Sequence, residues 1–522
     1  MHYRKTILFM VLAALFICIF SNRDLPSVNN MEARNYITAR EILENGTWLL
    51  PTMNGEPRIA KPPLPTWITA LFMKWAGTDA DLEVNRIPAG ICGALLALFT
   101  FLLVRRVSGG NELAVTAVLV LVTGQLFFTS ARRNFWDIYA HMAMAGALWV
   151  MTEAFLRKEG KALWFALFSL FLAFSFCSKG PIALGVMFLP FVGGYCLVYG
   201  AKDLKENSWG LALGFIVAVA VASAWPLYVY LNTPQNALAV ASKETANWFT
   251  YHIQAPWYYL TNLHWIAGIW LPFLLYAVIA PFVQKNWGRE EKLFLYWFLL
   301  TILVLSIVPE KKVRYLLPAV VPGAIITAVA VLRLREAAGT AQRVVYGVFC
   351  FATGAACFAA AGVAVYCMRG NLLLVPAALA LAAAGAVIIS DYLRKRTGRT
   401  HLTVIAALCL LLVGIIPLKQ TLLPRDETRI LMGLREVPEL KGKAFYFLGT
   451  PPEELIYAAG KKVKPVKPDE VPVLEGGGAS GILITSEPME GMFPRLTPLS
   501  SIHADDRTFH LYGFPGKGKG GV

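Results

Sequence analysis

The sequence predicts a polytopic α-helical membrane protein of about thirteen transmembrane helices, with a small C-terminal α/β domain on the outer side. Three observations predict it. The 522 residues are 57% hydrophobic and only 16% charged, where a soluble protein carries roughly 25%. Apolar runs recur along the chain at lengths near the roughly 20 residues that cross a bilayer. The basic residues between those runs alternate by side.

The first run, Thr6 to Phe20, follows Arg4 and Lys5. No small-residue cleavage site follows it, because Ser21-Asn22-Arg23-Asp24 is polar, so it reads as a retained helix rather than a signal peptide. Further spans are expected at 88–104, 113–130, 135–156, 162–177, 181–199, 209–231, 264–284, 292–309, 315–335, 344–366, 372–391 and 402–418. With the N-terminus inside, the inner loops hold Arg105 and Arg106, Arg157, Lys158 and Lys161, Lys202 and Lys205, Lys285 to Lys292, Arg333 to Arg343, and Arg394 to Arg399. The short outer loops hold fewer, which is the positive-inside bias. The net charge of +15 is therefore mostly a topology signal and does not point to nucleic acid. The eight cysteines lie in or beside apolar runs with no CxxC spacing, and read as small buried hydrophobes.

Hydropathy changes after Pro417. Strand-like runs at Lys443 to Gly449, Gly481 to Ser486 and Thr508 to Phe514 alternate with a helical one at Pro452 to Ala459. Turns rich in Gly and Pro, including Gly476-Gly477-Gly478, separate them, and a basic GKGKGGV tail follows. The domain division is 1–424 for the membrane part and 425–522 for the outer domain, which shows no nucleotide fingerprint. A structural or docking role is its plain reading.

The longest polar connection is the first outer loop, residues 21–87. It carries Glu32, Arg34, Arg40 and a lysine fixed before two prolines, Lys61-Pro62-Pro63. A loop of this length is seldom mere connection. The same topology brings Asp137, Lys179, Glu244, His252, Lys311, Arg314 and Tyr315 to the outer face. Ionisable groups at the interface suit chemistry on a lipid head group, whereas a coupled transporter places some near the midplane. Cations hold phosphate by charge-assisted hydrogen bonds, and a carboxylate accepts the proton of an attacking hydroxyl. Glycosyl transfer from a lipid phosphate needs both and needs no nucleotide-binding domain.

These segments resemble the GT-C class of polyprenyl-phosphate-sugar glycosyltransferases. The resemblance is to the branch holding the aminoarabinose transferase of lipid A and the protein O-mannosyltransferase-like enzymes. It rests on Met31-Glu32, Arg34, Arg40-Glu41, Gly46, Trp48, Pro51, Gly55, Lys61-Pro62 and Trp67, then Arg86, Asp137, Ser178-Lys179-Gly180, Trp225-Pro226, Ala255 to Tyr259 and Lys311 to Pro318, in order. It implies that Lys61 and Lys179 hold the lipid phosphate together with Arg34, Lys311, Arg314 and Tyr315. It implies that Glu32 and Asp137 are the catalytic acids near sugar and acceptor, and that transfer inverts the anomeric centre. The implied partners are a polyprenyl-phosphate-sugar donor, membrane lipids and a lipid, glycan or protein acceptor. The implied location is the bacterial inner membrane, with the C-terminal domain periplasmic. No cofactor is fixed, and a divalent metal is left open.

The chain departs from that family at three places. Met31 stands where an aspartate is usual, Ala60 where Glu often precedes Lys-Pro, and Trp248 where an arginine occurs in the large outer loop. These differences count against aminoarabinose transfer in particular and leave the broader class standing. Bland roles compete at each position. Glu32 is placed to cap a helix, Asp137 to complement a helix dipole, and Lys179 to snorkel to head groups. Arg132 and Arg133 are further phosphate candidates, and Asp137 with His141 at helical spacing is a weak metal pair. Two other functions compete with transfer: a flippase for a lipid-linked saccharide, and an impaired relative acting in assembly, which Met31 motivates.

Overall fold

The computed structural model describes residues 27–250, 252–284, 286–336, 340–366, 374–394, 431–435, 437, 440, 442–476, 481–489, 492–493, 495–504 and 507–514. The expected spans at 6–20 and 402–418, with Cys18, Cys367, Cys409 and the basic tail, lie outside the described residues. The chain divides into two compact units, one of Met1–Asn22, Ala60–Pro65 and Arg86–Thr421, the other of Arg23–Ile59, Thr66–Asn85 and Leu422–Val522.

The first unit is helical. Among its described residues six helices are long and apolar enough to cross a membrane, or seven when a bent pair counts as one span. The six run Leu82–Ser108, Lys161–Lys179, Ser208–Asn232, Leu263–Val283, Val313–Glu336 and Arg343–Tyr366. The bent pair is Asn111–Thr123 with Gln125–Ala131, which meet at 69°. Gly124 makes that bend: a Cβ there would come within 2.9 Å of the Ile266 carbonyl oxygen, so only glycine lets the two backbones approach. Another expected span is interrupted. The run 181–199 opens with a π-turn, Leu184–Phe188, before the helix Leu189–Tyr199.

Burial separates centre from rim in this unit. In the most apolar eighteen-residue stretch of the helix from Val313 to Glu336, 89% is buried, and in that of Ser208–Asn232 only 11%. The first packs on Asn111–Thr123, Leu271–Val283 and Arg289–Ile307, while the second leans mainly on Lys161–Lys179. An apolar helix with so little protein cover presents its side chains to lipid. Trp136–Leu156 packs along most of Lys161–Lys179, which carries the first residues of one helix to the end of the other.

The second unit joins the first outer loop to the C-terminal residues in one core. Ala33, Tyr36, Ile37, Ile42, Ala70 and Met73 from the loop pack with Phe445, Phe447, Leu455, Ile456, Tyr457 and Leu511 from the C-terminal part. The loop opens with the helix Asn30–Asn45. Asn29 caps it, with its side chain accepting from Met31 N–H, and Glu32 returns the bond to Asn29 N–H at 3.2 Å. Gly46 closes it in the left-handed region. The strands β1 (Thr52–Met53) and β2 (Glu56–Pro57) then form an antiparallel hairpin about Asn54-Gly55. Both turn residues have positive φ, 57° and 83°, as a two-residue turn of this hand requires.

The C-terminal part adds β3 (Ala444–Leu448), the helix Glu453–Ala459, β4 (Val463–Val466), β5 (Gly481–Thr485), β6 (Thr497–Ala504) and β7 (Arg507–Gly513). They form one sheet in the order β4-β3-β5-β7-β6. β3, β4 and β5 run parallel, and β7 and β6 pair antiparallel to their neighbours. The α/β reading of this segment is borne out at three strands and one helix. β4 and β6 escaped it because Pro465 and the Pro498–Ser500 irregularity break the alternation that marks a strand. The hairpin tip reaches the β4 edge. Asn54 accepts from Val463 N–H at 2.9 Å and donates to Val463 O at 2.7 Å, completing the edge as a further strand would.

Candidate active site

The expected site residues fall in both units. Asp137 lies in the first turn of the helix Trp136–Leu156, where the four leading N–H groups favour an anion. Lys179 is the last residue of Lys161–Lys179, where a cation is favoured. Packing of these two helices brings the charges together, and Lys179 Nζ donates to Asp137 Oδ1 as an ion pair. Their side chains are only 11% and 7% exposed, so the pair lies largely out of bulk water, where removing one partner is costly.

A third segment completes the cluster. Lys179 Nζ stands 5.2 Å from the centre of the Tyr315 ring, and Arg314 Cζ stands 5.4 Å from it, both within cation–π range. Arg314 and Lys61 are also electrostatic neighbours of the pair, Arg314 to Asp137 and Lys179, and Lys61 to Lys179. Asp137, Lys179, Lys61, Arg314 and Tyr315 therefore converge in the first unit as a cationic site around one buried carboxylate.

Tyr315 donates to Glu310 Oε1 at 3.1 Å, and Lys312 Nζ donates to the same oxygen at 2.7 Å. Glu310 is 9% exposed. It lies one residue before the Lys311 to Pro318 segment that carries the resemblance. The available signal was a carboxylate five residues before the aromatic, inside a run of cations. Its backbone pairs with Ile253 in an isolated antiparallel bridge, flanked by Gln254 N–H to Pro309 O and Lys311 N–H to His252 O. His252 turns the chain there with φ of 51°.

Lys311 is placed differently from its neighbours. It is buried, and Nζ donates to the Val308 carbonyl at 2.5 Å, a local bond that closes its own loop. His141 Nδ1 meets the Asp137 backbone oxygen at 2.7 Å. A carbonyl only accepts, so Nδ1 carries the hydrogen. His141 thus turns to the peptide and not to the Asp137 carboxylate. Among the described residues no three His, Cys, Asp or Glu side chains gather into one cluster. Arg132 is buried with its guanidinium 4.3 Å above the Phe128 ring.

Glu32 and Arg34 belong to the second unit. Glu32 is fully buried, taking the helix-capping bond and a bond from Tyr36 OH at 3.3 Å. Arg34 pairs with Glu453 through Nε at 2.9 Å and Nη2 at 2.6 Å. Met31, the departure from the family, is half-buried beside them. Arg40 is buried in the same helix. Its burial lowers the pKa of the guanidinium from its usual value, and the nearby carboxylates of Asp79 and Glu44 oppose that shift.

Comparison with known proteins bears on the fold. Residues 60–228 match the family described as dolichyl-phosphate-mannose-protein mannosyltransferase. An uncharacterised protein of Aquifex aeolicus is 30% identical over 325 residues, 61% of this chain and 62% of the relative. The undecaprenyl phosphate-alpha-4-amino-4-deoxy-L-arabinose arabinosyl transferase of Pectobacterium carotovorum is 26% identical over 345 residues, 62% of this chain and 58% of that protein. The matches thus span about three fifths of these relatives' own lengths. The crystal structure of ArnT from Cupriavidus metallidurans bound to undecaprenyl phosphate superposes with a TM-score of 0.74 at 19% identity, over 97% of both chains. The apo oligosaccharyltransferase of Archaeoglobus fulgidus gives 0.52 at 13% identity, over 94% of this chain and 70% of that one. The resemblance read from the motifs is borne out, and the chain is a multi-pass membrane protein with the GT-C membrane fold.

Proposed function

We propose that this protein is a glycosyltransferase. It moves a sugar from a polyprenyl-phosphate donor to a hydroxyl or phosphate on a lipid, glycan or protein, with inversion, at the outer face of the bacterial inner membrane. The observation that carries the reading is the convergence of Lys179, Lys61, Arg314 and Tyr315 on Asp137 at helix ends. The arabinosyl transferase named above carries an undecaprenyl-phosphate-linked sugar in its name, and the ArnT structure binds undecaprenyl phosphate, which supports it.

In this reading the donor phosphate enters among Lys61, Lys179 and Arg314. The acceptor oxygen attacks the anomeric carbon from the face opposite the phosphate. The bond from that carbon to the phosphate oxygen breaks, and its electron pair stays on the phosphate, where the cations stabilise it. The acceptor's proton passes to a carboxylate. Asp137 is the carboxylate of the cluster. It pairs with Lys179 and is freed to take the proton when Lys179 turns to the donor phosphate. Glu32 and Arg34 enter through the resemblance alone, since their bonds in this structure serve a helix start and an ion pair with Glu453. Lys311 enters the same way. The full topology belongs to this proposal: thirteen spans, N-terminus cytoplasmic, membrane domain to residue 424 and periplasmic domain from 425.

Purified protein supplied with undecaprenyl-phosphate-linked sugars tests the reading. Lys61→Ala is expected to abolish transfer while the protein remains folded, and Lys179→Ala to abolish it together with a loss of stability, because it leaves Asp137 buried without its partner. Normal turnover in both would sink the phosphate clamp. Asp137→Asn is expected to lower turnover by a factor of about 10² to 10⁴, the range of general-base catalysis. Glu32→Gln should act on stability first. Movement of the intact lipid-linked sugar across vesicles, without its consumption, would favour a flippase instead.

A further inference from the structure

A buried carboxylate outside the motifs, Glu310, stands at the edge of the cationic cluster. One of its oxygens, Oε1, accepts both the Tyr315 hydroxyl at 3.1 Å and the Lys312 ammonium at 2.7 Å. The Tyr315 ring is in turn the surface against which Lys179, Arg314 and Lys312 lie, at 5.2, 5.4 and 5.7 Å from its centre. A ring free to swing about its χ angles would carry no fixed arrangement of cations. A hydroxyl tied to a carboxylate fixes where the ring's tip lies. The carboxylate itself is held, because Glu310 is paired through its backbone with Ile253 and its neighbours are bonded to His252 and Gln254. The Tyr259 hydroxyl is hydrogen-bonded to the Lys312 backbone. Glu310 is also the countercharge of Lys312, so it lowers the repulsion among the three cations at the ring.

We infer that Glu310 is a positioning residue for anion binding at this site: by holding Tyr315 and Lys312 it sets the spacing of the cations that receive a lipid phosphate. This rests on the polyprenyl-phosphate reading above. It involves no covalent step by Glu310 itself. The two hydrogen bonds need an acceptor oxygen at that point, while the charge balance needs an anion, and substitution separates the two. Gln keeps the acceptor and loses the charge. Ala loses both.

The test uses the full chain in lipid nanodiscs with undecaprenyl phosphate as probe. Glu310→Ala should weaken its binding about tenfold, near 1.4 kcal/mol at 25 °C, and Glu310→Gln should recover most of that loss. Tyr315→Ala combined with Glu310→Ala should bind little worse than Tyr315→Ala alone, because one acts through the other. A second readout needs no ligand: labelling of Lys312 by an amine-reactive reagent, followed by mass spectrometry, should rise in Glu310→Ala. Unchanged labelling, a Gln variant as weak as Ala, or fully additive losses would each overturn the inference. Wild-type protein that ignores undecaprenyl phosphate, while Glu310→Ala still exposes Lys312, would instead overturn the donor reading and leave the positioning of Lys312 intact.

Discussion

At the scale of residues, the Asp137–Lys179 pair is where stability and chemistry meet. Two charges this buried are tolerated only as partners, and removing one leaves the other without compensation. Asp137→Asn should therefore cost about 3–5 kcal/mol of stability as well as turnover. The double variant Asp137→Asn with Lys179→Met removes both charges and should regain most of that stability without regaining transfer. Thermal unfolding in detergent beside an activity assay checks it. Recovery of transfer in the double variant would make the pair purely structural. Helical spacing alone placed Asp137 and His141 on one face, and they are neighbours. The spacing could not tell that the imidazole would turn to the backbone. That choice depends on which acceptors packing leaves within reach.

Elements explain how the first outer loop is held. Its hairpin tip uses Asn54 as a substitute strand on the β4 edge, and Gly55 lies where a Cβ would come within 2.1 Å of Lys462 Nζ. Asn54→Ala forfeits two hydrogen bonds of roughly 1 kcal/mol each. Gly55→Ala adds backbone strain at φ of 83° and should cost more than about 1 kcal/mol. Both variants should speed proteolysis within residues 46–59 before any global unfolding, read by limited digestion and mass spectrometry. Equal cleavage in wild type and variants would show that the docked tip adds nothing. The motif Gly46 to Gly55 was legible as family-like, and the structure supplies its physical content: a helix stop, a positive-φ turn and an edge cap. The partner strand was not legible, since more than four hundred positions separate Asn54 from Val463.

The whole molecule is built from two units, and the second is assembled from distant parts of the chain. Its core mixes loop residues such as Tyr36 and Met73 with C-terminal residues such as Phe445 and Tyr457. The C-terminal segment expressed alone, residues 422–522, would expose the face that the loop covers. It is expected to lack cooperative unfolding or to aggregate, and addition of a 23–85 peptide should restore a folded signal by circular dichroism. A monomeric, cooperatively melting fragment would show that the C-terminal part folds independently.

Composition and local pattern are enough to set the class. Hydropathy is a local sum, so runs of apolar residues declare membrane helices without any knowledge of their neighbours. Alternation and turn residues declare strands in the same way, and the order of short motifs carried the resemblance to polyprenyl-phosphate transferases. Only the tertiary structure decided which charges meet. Asp137, Lys179, Glu310 and Tyr315 come from three separate segments, and it is helix packing that joins the first two and a looped bridge that adds the others. It also decided that the first loop and the C-terminal segment share a core. The physical reason is the same in both cases. A side chain's partner is fixed by what packing leaves within a few ångströms, and no local pattern in the chain encodes that distance.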